Sequence, residues 1–159
     1  MRRDYFELDV SNVDWVADGG KPKQPTVVIE FTGDTDALRD RLTDTTGAVL
    51  EATETDAAFR LTDAADDTDA AGVVSVTNRV TGDFILELNV AADDVTQFVR
   101  AARRYGESDA ARDADGRYRV EIRVDGTELV VHEKATFLVY SSDGDLLRGR
   151  SLIPSGVEL

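Results

Sequence analysis

The chain has 159 residues, 42% of them hydrophobic, with 32 Asp and Glu against 18 Lys and Arg and a formal net charge of −14. That length and apolar content suit one domain over residues 1–159. With no cysteine and one histidine, the chain excludes a disulfide framework, thiolate metal sites, a cysteine nucleophile and any centre built from two imidazoles.

In chain order, Tyr5-Phe6-Glu7-Leu8-Asp9-Val10 alternates like a half-buried strand. Asn12 to Gln24, with Asp18-Gly19-Gly20 and Pro22, reads as a loop. Thr26–Phe31 is the next strand; beyond Gly33, Asp34 or Thr35 can cap a short helix that turns Leu38 and Leu42 inward. Strands are expected at Ala48–Ala52 and Ala57–Thr62, followed by an acidic loop from Asp63 to Gly72. Val73–Arg79 and Asp83–Asn89 form two more, joined by a tight turn at Val80-Thr81-Gly82.

The stripe Val95, Phe98, Val99 and Ala102 predicts a helix over Asp93–Arg104, its N-terminus favoured by Asp93 and Asp94 and its end marked by Gly106. Tyr118–Val124 alternates strictly, and Asp125-Gly126 predicts a hairpin into Thr127–His132. Phe137–Ser141, an Asp143-Gly144 turn and Leu146–Ile153 predict a last hairpin. The fold class is therefore α+β, with mostly antiparallel sheet and two helices. Strand–helix–three-strand order occurs twice, over 26–79 and 83–153. A shift of 57 residues pairs Glu30 with Glu87, Asp36 with Asp93 and Leu38 with Val95, which makes a tandem duplication a candidate origin.

The acids comprise 22 Asp and 10 Glu; the bases comprise 15 Arg and only Lys21, Lys23 and Lys134. At low salt such one-signed charge opposes a compact state. At 1 M ionic strength the Debye length falls to about 3 Å and that cost fades. The composition thus points to the salt-rich cytoplasm of a halophile. Met1-Arg2-Arg3 is followed by Asp4 and Glu7, not by an apolar segment, so no export signal is expected. Runs such as Phe137-Leu138-Val139-Tyr140 are too short to cross a bilayer.

The opening Met1-Arg2-Arg3-Asp4-Tyr5-Phe6-Glu7-Leu8-Asp9-Val10, continuing to Val13-Asp14-Trp15, resembles the start of a small haloarchaeal family of unknown function. That resemblance covers the whole chain and implies no activity. The doubled strand–helix–three-strand order is also similar to one sliding-clamp domain, in topology alone.

No nucleophile elbow, phosphate loop or dinucleotide fingerprint follows any strand, so neither a catalytic site nor a cofactor is assigned. His132, beside Glu133 and Lys134, suits a structural or simply exposed position better than a metal or general-base role, because no second imidazole exists. Asp67-Thr68-Asp69 and Asp113-Ala114-Asp115-Gly116 lack the spacing of a calcium loop.

The scarce bases carry more information. With Arg112, the residues Arg100, Arg103, Arg104, Arg117, Arg119 and Arg123 put seven arginines within 24 residues. Arg100, Arg103 and Arg104 share the helix face opposite the apolar stripe, and Arg117, Arg119 and Arg123 share one face of the following strand. An arginine platform of this kind suits phosphates or an acidic partner, and ion pairing with neighbouring acids is its plain alternative. The expected function is non-catalytic: interaction with another protein or self-association through exposed strand edges. The alternative is a nucleic-acid-associated, clamp-like module using the arginine helix and strand.

Overall fold

A computed structural model describes residues 6–62, 70–108 and 117–153. The predicted acidic stretch over 63–69, Arg112, the 113–116 loop and the residues from 154 onward lie outside them, as do the first five residues. The fold is α+β. In chain order it comprises β1 (Phe6–Ser11), α1 (Trp15–Asp18), β2 (Thr26–Phe31), α2 (Thr35–Arg41), β3 (Thr55–Leu61), β4 (Ala71–Asn78), β5 (Phe84–Ala91), α3 (Ala92–Glu107), β6 (Tyr118–Val124), β7 (Thr127–Lys134) and β8 (Leu138–Tyr140).

The strands make two sheets of four, ordered β1-β2-β6-β7 and β5-β4-β3-β8. Each is antiparallel except for one parallel pair, β2 with β6 in the first and β3 with β8 in the second. β2 leads through α2 to β3, and β5 leads through α3 to β6, so each strand–helix connection crosses from one sheet to the other.

Period-two alternation decides which side chains meet between the sheets. Val27, Ile29 and Phe31 from β2 and Tyr118, Val120 and Ile122 from β6 face Ala57, Phe59 and Leu61 from β3 and Val74 and Val76 from β4, in one continuous core. Helix α3 closes this core with Val95, Phe98, Val99 and Ala102. The ring of Phe98 meets Tyr118 edge-on at 5.0 Å and Phe137 at 5.7 Å, a favoured geometry for aromatic quadrupoles.

Local chemistry accounts for most boundaries. The Asp34 carboxylate accepts hydrogen bonds from the backbone N–H groups of Asp36 and Ala37, which starts α2. Asp125 and Gly126 both take positive φ, 50° and 79°, as a two-residue hairpin between β6 and β7 requires.

Four expectations need correction. Ala48–Ala52 is not a strand: Val49 keeps one bridge, to Thr43, and Ala52–Glu54 forms a 3-10 turn. That turn is held by reciprocal side-chain bonds between Glu51 and Glu54, which offer the backbone a local alternative to pairing. The predicted loop at 12–24 contains α1, closed by Gly19 in the left-handed region. Helix α3 runs through Gly106 to Glu107, because the missing Cβ leaves space for the Arg117 side chain. The last hairpin turns at Gly144, but its return arm keeps only the bridges Tyr140–Leu146 and Phe137–Leu152, with a 3-10 turn at Arg148–Arg150.

Candidate interaction surface

The arginines do not form one platform. Phe98 places α3 on the Tyr118 side of β6, whereas Arg119 and Arg123 alternate with Tyr118, Val120 and Ile122 and project from the other side. There they flank Glu121, whose carboxylate accepts from Arg119 Nε at 2.9 Å and from Arg123 Nη2 at 2.6 Å. Burial raises the Glu121 pKa, but these two guanidiniums outweigh it and hold the carboxyl below its usual range. Glu7, Asp9 and Glu30 lie across the sheet on one side of the pair, and Glu128 and Glu133 on the other. A phosphate arriving here meets positive charge already compensated.

The remaining arginines are dispersed. Arg117 lies against Gly106 of α3. Arg100, Arg103 and Arg104 are exposed on α3, as their spacing predicts. Arg103 donates to the Ser151 carbonyl at 2.9 Å and tethers the C-terminal 3-10 turn to the helix.

His132 and Lys134 end β7 pointing into the protein, and both are buried. The His132 Nε2 lies 2.9 Å from the Leu50 carbonyl, so that nitrogen carries the proton, and Nδ1 faces the Thr55 hydroxyl at 3.4 Å. Lys134 Nζ donates to the carbonyls of Ala52 at 2.8 Å and Thr55 at 2.7 Å. Burial lowers the His132 pKa, an effect that the Lys134 charge reinforces and the Leu50 bond opposes. Burial also lowers Lys134 to about 8, against the pull of Asp56. The pair fastens the crossing from α2 to β3 onto β7, satisfying backbone oxygens that would otherwise be buried unpaired.

The outer face of the β5-β4-β3-β8 sheet has a different character, and neither composition nor periodicity singled it out. Register places its residues in rows. Phe84 stands beside Thr77, Glu87 beside Ser75, Ala58 and Leu138, and Asn89 beside Val73, Arg60 and Tyr140. A β-bulge between Val76 and Thr77 turns Phe84 outward while Ile85 and Leu86 stay buried. Phe84 is 51% exposed. It borders two depressions, one of about 520 Å³ over Ala58, Arg60, Ser75 and Tyr140 and one of about 580 Å³ over Arg41, Thr43 and Thr81. Among the described residues this face and its two depressions carry Arg41, Arg60 and Arg79 against Asp40, Asp56, Asp83 and Glu87. Asp56 is paired with Arg79 at 2.5 Å, and Arg60 on β3 lies diagonally across β4 from Glu87 on β5, one row apart. Aromatic rings, short side chains and little net charge are the composition of protein–protein contact centres.

The described residues hold no group of three or more metal-ligating side chains and no helix long and apolar enough to cross a membrane. Comparison with curated proteins and with solved structures finds no match. A family model matches residues 1–159, and the chain belongs to that family, DUF5793, a family of unknown function.

Proposed function

We propose that this chain is a non-catalytic protein-interaction module of a salt-rich cytoplasm, and that it docks through the outer face of the β5-β4-β3-β8 sheet. The observation that carries this reading is the half-exposed Phe84, on a face of little net charge in a molecule of net charge −14. A large exposed aromatic beside concave surface is the usual anchor of an interface. The non-catalytic part is supported by the use made of the two buried bases, His132 and Lys134, whose polar atoms are occupied by backbone carbonyls and Thr55.

The arginine surface is the weaker candidate, because Arg119 and Arg123 are engaged by Glu121. Molar salt also removes most of the affinity that a few phosphate contacts supply. Affinity capture in high KCl, with nuclease treatment, separates the two. Phe84→Asp is expected to abolish capture of the partner, while the triple change Arg100→Gln, Arg103→Gln, Arg104→Gln leaves it intact. Loss with the triple change alone, together with nuclease-sensitive capture, would overturn the proposal in favour of nucleic acid.

A further inference from the structure

We infer that the gap between the two sheets at their β1 and β5 edges binds a small amphiphilic cation, a short aliphatic chain ending in an ammonium group. The site lies apart from the docking face proposed above and does not rest on it. β1 ends one sheet and β5 ends the other. Behind these two edges lies an apolar cavity of about 40 Å³, walled by short side chains such as Val27, Val74, Val95 and Val120. The rings that also border it, Phe98, Tyr118 and Phe137, are held edge-on against one another and leave the space unfilled. In front of it is an open depression of about 270 Å³ over Phe6, Leu88 and Asn89. The two spaces share Leu8, Val90 and Asp94, so the depression opens onto the cavity.

The dimensions set the chain. A water-sized group occupies about 10–15 Å³ of such volume, so the cavity takes about three methylenes. Each methylene moved from water into an apolar site strengthens binding about fourfold.

The charge sets the head group. Asp94 stands exposed in the first turn of α3 and is the only charged side chain lining either space. Among the described residues no donor pairs with its carboxylate. A carboxylate at the mouth of an apolar passage favours a cation, and both it and the net charge of −14 oppose a fatty acid. Molar KCl screens the long-range part. The direct contact at Asp94 remains, worth at most about fivefold at an exposed position.

Titration with pentylammonium, pentanol and pentanoate in high KCl, followed by methyl NMR, tests this. Saturable shifts are expected at Val74, Val95 and Val120, with Leu42 and Leu50 unmoved, and pentylammonium is expected to bind most tightly and pentanoate least. Val74→Ile should weaken all three about fourfold by filling part of the cavity. Asp94→Asn should leave pentylammonium no tighter than pentanol. Shifts that rise without saturating or reach Leu42 and Leu50 equally would overturn the inference. So would pentanoate binding as tightly as pentylammonium, affinities indifferent to Val74→Ile, or a preference for the cation that survives Asp94→Asn.

Discussion

Lys134 shows how a residue type that the composition nearly discards is kept where it does structural work. Lys21 and Lys23 are exposed in the segment after α1, whereas Lys134 is buried and holds two carbonyls of the α2–β3 crossing. An unfolded chain keeps a lysine proton up to about 10.5, whereas folded Lys134 releases it near 8 because burial penalises the charge. Between those values the unfolded state binds more protons, so stability rises as pH rises through that window. His132 is lowered from 6.5 by the same cause, so stability falls as pH drops below 6.5 towards its folded value. In urea titrations at fixed KCl, Lys134→Met is expected to lose the alkaline rise and His132→Gln to weaken the acid loss. Identical pH profiles for wild type and both variants would contradict this role. The sequence leaves His132 either structural or exposed, because the partners that bury it, Leu50 and Thr55, lie 82 and 77 residues away along the chain.

At the scale of elements, signals that are local in sequence translated directly. The Asp34 cap, the Asp125-Gly126 hairpin and the alternation of β2 and β6 each depend on a few adjacent residues. Ala48–Ala52 failed because apolar character without a partner strand does not make a strand; Val49 is 51% exposed, and the Glu51–Glu54 capping bonds take the chain into a turn. Gly106 failed as a helix stop because α3 uses it to admit Arg117, a tertiary contact with no local signature. The core role of α3 gives a direct prediction. Phe98 is buried against Tyr118 and Phe137, so Phe98→Ala is expected to cost about 3–5 kcal/mol in urea unfolding. Val74 lines an apolar cavity of about 40 Å³ between the sheets. Val74→Ile places one methylene there and is expected to add up to about 0.8 kcal/mol. A stability unchanged by Phe98→Ala would mean that α3 does not close the core as described.

For the whole molecule, the governing feature is uneven charge. The outer face of β1-β2-β6-β7 surrounds two engaged arginines with carboxylates, whereas the outer face of the second sheet mixes near-equal numbers of opposite charges around Phe84 and Tyr140. The arginines stand out in sequence because they are scarce and clustered, which is visible along a chain. Phe84, Ser75, Ala58 and Tyr140 come from four strands and become neighbours only through register, including a bulge that no local rule predicts. Oxidative footprinting in molar KCl, comparing dilute purified protein with the same protein in its cell lysate, reads this face directly. Labelling of Phe84 and Tyr140 is expected to fall in the lysate while labelling of Trp15 stays constant. Equal labelling of Phe84 and Tyr140 in both samples, with protection appearing instead along α3, would contradict the assignment of this face.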